Sequence, residues 1–215
     1  MKVLFLGNSF TYYNDLPAML EKLSGGEITC GKVYISSAYL NWFTDESREL
    51  CAQVREKSTE KWDALILQEQ SLHPLLDPED FRKQAVTLSE FFPGTPVFMY
   101  QTWAYRDGSG KLADTGLTYD EMKEKLRDAY EAVTQAVGGI RVPVGYGFAE
   151  ARRIAPHVDL YKEDDYHPSP AGTYIAACLF YMALTGRDCA ALPGIDALDI
   201  ETVKLLKKAA HGTTA

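Results

Sequence analysis

The sequence has no basic stretch. Its 22 Lys and Arg are outnumbered by 30 Asp and Glu, and the formal net charge of −8 excludes a nucleic-acid partner held by electrostatics. Long hydrophobic runs are missing as well: the longest, over residues 174–184, is too short to span a bilayer. The start of the chain lacks the basic segment, apolar stretch and small-residue cleavage site of a secretory signal, although a chain whose signal had been removed would begin the same way. Cysteine is scarce. Cys30, Cys51, Cys178 and Cys189 form no close pair along the sequence, so no disulfide framework is expected and all four are read as reduced thiols. These absences together lead to the expectation of a cytoplasmic protein with neither nucleic acid nor membrane as partner. The first turn carries neither G-x-G-x-x-G nor G-x-x-x-x-G-K-[ST], the patterns that cradle phosphates. No second His or Cys stands at metal-ligand spacing from His167, so no metal and no organic cofactor are expected. Repeats, low-complexity segments and linkers are also lacking. That leaves residues 1–215 as one expected domain, long enough to bury a substantial core.

What is present alternates between strand and helix signals. The apolar run Val3, Leu4, Phe5 and Leu6 stops at Gly7 and reads as a buried parallel strand breaking into a tight turn. Asn14-Asp15-Leu16-Pro17 opens a short helix that Gly25-Gly26 stops. Residues 28–35 form the second predicted strand, and Thr44 is expected to cap a helix running to about Lys57. Residues 63–67 are the third strand, ending in Gln68-Glu69-Gln70-Ser71. Asp77-Pro78 starts another helix as cap and first helical residue. Residues 96–100 are the fourth strand, followed by a Gly- and Asp-rich segment, 106–116, read as a plain loop. Thr118-Tyr119-Asp120-Glu121 is a capping box before a helix with Met122, Leu126 and Val133 on one face. Residues 140–144 are the fifth strand, with a short helix over 148–154. Ser169-Pro170 opens a helix apolar over most of its surface, and Asp199 caps the last one. The alternation predicts an α/β fold: a three-layer α/β/α sandwich on a flavodoxin-like, five-stranded parallel sheet of order 2-1-3-4-5.

Open α/β sheets place their ligand crevices beyond the carboxyl ends of the strands. Three polar clusters fall at such ends or in the loops beside them: Asn8-Ser9, Gln68-Glu69-Gln70-Ser71 and Asp164-Asp165-Tyr166-His167-Pro168. Ser, His and a carboxylate are the parts of an activated oxygen nucleophile. The imidazole of His167 would take the proton from Ser9 Oγ, and Asp164 would fix its tautomer. The three-residue spacing lets Asp164 and His167 face the same way, whereas the adjacent Asp165 is expected to face solvent. Pro168 restricts His167 to an extended backbone. Acyl transfer also needs donors aimed at the developing oxyanion. The Ser9 backbone N–H and the Gln70 side-chain amide are candidates.

Gly7-Asn8-Ser9-Phe10-Thr11 and Asp164-x-x-His167-Pro168 resemble the first and last motif blocks of the SGNH/GDSL hydrolases. These are esterases, lipases and carbohydrate deacetylases on a flavodoxin-like sheet. The resemblance implies Ser9 as nucleophile, His167 as base and Asp164 as the third member. Two blocks differ. The third usually reads Gly-x-Asn-Asp, and Gln70 falls at the position of its oxyanion-binding Asn. The second usually contributes a Gly backbone N–H, and Ser37 of Ser36-Ser37-Ala38 is its best counterpart. The resemblance does not carry a substrate.

Among the aromatics, Tyr12, Tyr39, Trp103 and Tyr166 are candidate pocket residues, which would suit a sugar or aryl ester. His73, ahead of Pro74, is read as a surface turn residue. The expected function is therefore cleavage of a small acyl or acetyl ester by a Ser-His-Asp mechanism, with a small-molecule ester as partner. The alternative is a non-catalytic or nucleotide-binding module on the same fold.

Overall fold

Residues 1–213 are described by the structure, a computed structural model. The first apolar run forms the interior of β1 (Lys2–Gly7), buried from Val3 onward. A strand buried on both faces belongs in the middle of a sheet covered on both sides. β1 accordingly lies between β2 (Thr29–Tyr34) and β3 (Ala64–Leu67), and β4 (Val97–Tyr100) and β5 (Ile140–Val142) follow on the far side. The order is β2-β1-β3-β4-β5 with every pairing parallel, as expected from the sequence. β3 and β4 are apolar and buried throughout, while β2 and β5 at the sheet edges carry exposed residues.

The helices form two layers. In chain order they are α1 (Ser9–Tyr12), α2 (Leu16–Leu23), α3 (Leu40–Thr44), α4 (Glu49–Lys57), α5 (His73–Leu76), α6 (Pro78–Phe91), α7 (Gly110–Ala113), α8 (Tyr119–Ala136), α9 (Val144–Ile154), α10 (Pro170–Thr185) and α11 (Ile200–Thr213). α2, α9, α10 and α11 pack against one another in one layer, and α3, α4, α6 and α8 form a chain of contacts in the other. α10 is the most deeply buried, and its Phe180 ring meets Phe5 of β1 at 5.4 Å and Tyr100 of β4 at 4.8 Å, edge-on to both. No helix among the described residues is long and apolar enough to cross a membrane.

Five of the cap signals are realised. Asp15 accepts from the Ala18 N–H, Asp77 from Asp80, Ser169 from Gly172 and Asp199 from Thr202, and Thr118 and Glu121 close a reciprocal capping box. Three expectations fail. Thr44 ends α3 instead of starting a long helix: its hydroxyl donates to Asn41 O at 3.1 Å and Gln84 Oε1 at 2.6 Å, and α4 starts only at Glu49. Leu40 and Phe43 bury as a separate short turn, so the chain bends between the two helices. β5 stops at Val142 and α9 starts at Val144, because Pro143, with φ of −84° and ψ of 57°, turns the chain out of the extended conformation. The segment 106–116 is not a plain loop, since it holds α7, capped by Ser109 Oγ on the Leu112 N–H.

Candidate active site

All strands point one way, so the loops after β1 and β3 open on the same side of the sheet. Gly7 makes their close approach possible. A Cβ there would stand 2.5 Å from Thr11 Oγ1 and 2.8 Å from Gln68 Oε1. Gln68 Oε1 instead accepts the Asn8 N–H at 2.9 Å and the Thr11 hydroxyl at 3.0 Å, while its amide donates to Asn8 Oδ1 at 2.9 Å. Asn8 also caps α1 through the Phe10 N–H and donates to Ala38 O at 2.9 Å, which fastens the turn to the segment after β2. Ser9 is thus the first residue of α1, where the backbone N–H has no acceptor within the helix. It is nearly buried and lines a cavity of about 240 Å³.

His167 lines the same cavity from the loop before α10. Its Nδ1 lies 2.7 Å from Asp164 Oδ2, and its backbone N–H donates to Oδ1 at 3.0 Å. One carboxylate therefore grips both the ring and the chain that carries it, which directs Nε2 away from Asp164. Burial pushes the Asp164 carboxyl up, but the His167 ring and the His167 and Tyr166 N–H groups outweigh it and hold it below the usual range. The imidazole is clasped between Tyr166 at 4.0 Å and Tyr13 at 4.3 Å, with Phe10 edge-on at 5.7 Å. Asp165 does not compete for the ring. With φ of 69° it turns to Arg106, whose Nε lies 2.6 Å from Oδ1, so it is ion-paired instead of simply facing water.

Gln70 and Ser37 also line the cavity. Gln70 Oε1 accepts the Leu72 N–H at 2.8 Å and the His73 N–H at 3.1 Å. Both partners are donors, so the pinned atom must be the oxygen and the NH2 group is left beside Ser71 Oγ, 3.3 Å away, at the cavity wall. Ser37 has φ of 59°, the left-handed region that favours glycine. It thus keeps the backbone shape that a Gly at its position would take, with a side chain added.

The aromatic expectations divide. Tyr166 lines the cavity. Trp103 does not: it is fully buried between Phe10 at 4.5 Å and Phe148 at 4.2 Å, both stacked, and donates to Tyr166 O at 2.9 Å. It braces the wall from behind. Tyr12 stacks on Tyr13 and Tyr39 packs on His73 and Trp42, and neither reaches the lining. His73 is no surface residue. It is buried, with Nδ1 3.2 Å from Oε2 of the fully buried Glu69. The carboxylate of Glu69 raises the His73 pKa against the opposing effect of burial. Sequence reasoning also missed Tyr105, whose hydroxyl is 2.7 Å from Ser71 Oγ, and the wall formed by Lys111, Asp114 and Thr115 in and after α7. The position of Tyr105, five residues past the end of β4 at the ligand-binding edge, was the available signal.

No protein-family model matches the sequence, and no curated protein matches it significantly. Solved structures do. A protein from Slackia heliotrinireducens, provisionally classed as an SGNH hydrolase, superposes with a TM-score of 0.75 at 30% sequence identity, over 84% of this chain and 96% of that one. The chain belongs to the SGNH hydrolases. A DUF4886-family protein from Bacteroides uniformis has a TM-score of 0.82 at 23% identity, over 100% of this chain and 94% of that one. A variant of an acetyl xylan esterase from Geobacillus stearothermophilus has a TM-score of 0.59 at 15% identity, over 86% and 94% of the two chains. At these lower identities the likeness is one of fold. For this SGNH hydrolase the family resemblance read from the first and last motif blocks therefore extends over 84% of the chain.

Proposed function

We propose that this SGNH hydrolase is an esterase that cleaves short acyl esters of a polar alcohol. The single observation that carries the reading is His167, held by Asp164 at 2.7 Å, lining the same small cavity as Ser9. In this reading His167 Nε2 takes the proton from Ser9 Oγ as Oγ attacks the acyl carbon. The tetrahedral oxyanion is held by the Ser9 N–H, the Gln70 amide and the Ser37 N–H. His167 then returns the proton to the leaving alcohol. Water attacks the acyl-serine by the reverse route, giving the carboxylic acid and free Ser9. Asp164 keeps the ring in the tautomer with Nδ1 protonated.

The size and lining of the cavity support the substrate class. A cavity of about 240 Å³ suits a short acyl group, and Ser36, Ser37, Lys111 and Thr115 make its walls polar. The Tyr166 and Tyr105 rings offer flat surfaces for a sugar. Acetyl xylan esterases among the structural neighbours point the same way. An acetylated carbohydrate is therefore the proposed substrate. The test compares wild type and Ser9→Ala on p-nitrophenyl acetate and on acetylated oligosaccharides. The expected result is acetate release from both substrates, lost by at least about 10⁴-fold in the variant. Aryl-ester cleavage without any release from the sugars would remove the carbohydrate part, and turnover unchanged by Ser9→Ala would remove the mechanism.

A further inference from the structure

Glu69 lies completely buried behind the donor cluster, and the reaction above gives it no role. Its two oxygens share the Leu40 N–H at 3.1 and 3.3 Å, and Oε1 also accepts the Gln70 N–H at 2.6 Å. Leu40 opens α3 three residues after Ser37, and Gln70 carries the side-chain donor. One carboxylate thus joins the two segments that bring Ser37 and Gln70 to the cavity wall. Behind it, His73 Nδ1 stands 3.2 Å from Oε2, a charge contact and not an aligned hydrogen bond. The His73 ring packs edge-on against Tyr39 at 4.8 Å, and its backbone N–H holds Gln70 Oε1 at 3.1 Å. The pair therefore touches each segment twice, once through Glu69 and once through His73. A buried carboxylate is costly unless its oxygens are matched. Here the matching groups all belong to the cavity frame.

We infer that Glu69, braced by His73, is a positioning residue that sets the gap between the Ser37 N–H and the Gln70 amide, so that both donors meet the developing oxyanion. The inference rests on the proposed esterase reaction. Glu69 does not touch substrate; it acts through the two donors. A Gln in its place keeps the shape and one acceptor, but it removes the charge that draws His73 and replaces the second oxygen at the Leu40 N–H by an NH2 group, so the frame loosens.

The test is a double-mutant cycle on p-nitrophenyl acetate, with Ser9→Ala measured alongside. Glu69→Gln is expected to lower kcat roughly 10–100-fold while KM stays close to wild type, the pattern of a loss confined to the transition state. In a Gln70→Ala background the same change is expected to cost much less, because the donor it positions is gone. A purely structural role would lower stability without that coupling. If Glu69→Gln does not fold, His73→Leu and His73→Gln carry the test: the first is expected to lower kcat, and the second, which retains a donor toward Glu69, to recover most of it. Wild-type kcat in Glu69→Gln, an undiminished penalty in the Gln70→Ala background, or equal kcat in the two His73 variants would overturn the inference while leaving the esterase standing. Turnover that Ser9→Ala leaves intact would overturn the esterase reading and the inference with it.

Discussion

Ser37 holds a left-handed backbone with φ of 59° at the rim of the cavity. That conformation costs an ordinary L-residue about 1–2 kcal/mol. Ser37→Gly relieves the strain but adds freedom to the unfolded chain worth about 0.4–1 kcal/mol, so stability is expected to change little and esterase turnover to persist. Ser37→Val, β-branched at the same φ, is expected to lower stability by about 1–3 kcal/mol in a denaturant titration and to depress turnover. Two ionisable groups give pH signatures of opposite sign. His73 has a raised folded-state pKa, so its contribution is full below its unfolded value of about 6.5 and is lost as pH rises through the folded value. His73→Leu is therefore expected to flatten the fall of melting temperature over that window. Asp164 has a lowered folded-state pKa, so its contribution is present above about 3.9 and is lost as pH falls through the folded value. The melting difference between wild type and Asp164→Asn should shrink on acidification below that point, and it starts small because the carboxylate is partly exposed.

At the scale of elements, stability is concentrated where α10 crosses the sheet. Phe180 fills the space between Phe5 and Tyr100. Phe180→Ala is expected to cost about 3–5 kcal/mol, read as a melting temperature lower by roughly 10 °C, with the Ser9 chemistry intact in the protein that remains folded. The elements were largely legible because their signals are local. Asp15, Asp77, Thr118, Ser169 and Asp199 each announced a helix by a side chain that caps a nearby N–H, and each does so. What escaped depended on partners distant in sequence. Thr44 has the chemistry of a cap, but Gln84 takes its hydroxyl across the α3–α6 contact. Trp103 and Tyr105 are two residues apart, and only packing against Phe10 and Phe148 puts the first behind the wall and the second in it. His73 before Pro74 reads as a turn until Tyr39, from the segment after β2, is known to pack on its ring.

At the scale of the whole molecule, the parallel order β2-β1-β3-β4-β5 carries Ser9 and Gln70 to one end of the sheet, where the loop before α10 brings His167 from the far end of the chain. That order, and the convergence of the first and last motif blocks, could be read from the alternation of strands and helices. The frame around them could not, because the Gln68, Glu69 and Asn8 bonds join β1, β3 and the start of α3 through side chains that any polar loop might carry. The central claim is that the folded molecule activates one serine. A serine-directed fluorophosphonate probe, followed by mass spectrometry of the labelled peptide, tests it without knowledge of the substrate. The account predicts labelling of wild type at Ser9, none in Ser9→Ala and a strong reduction in His167→Ala; no labelling of the folded wild type, or labelling at another residue, would contradict it.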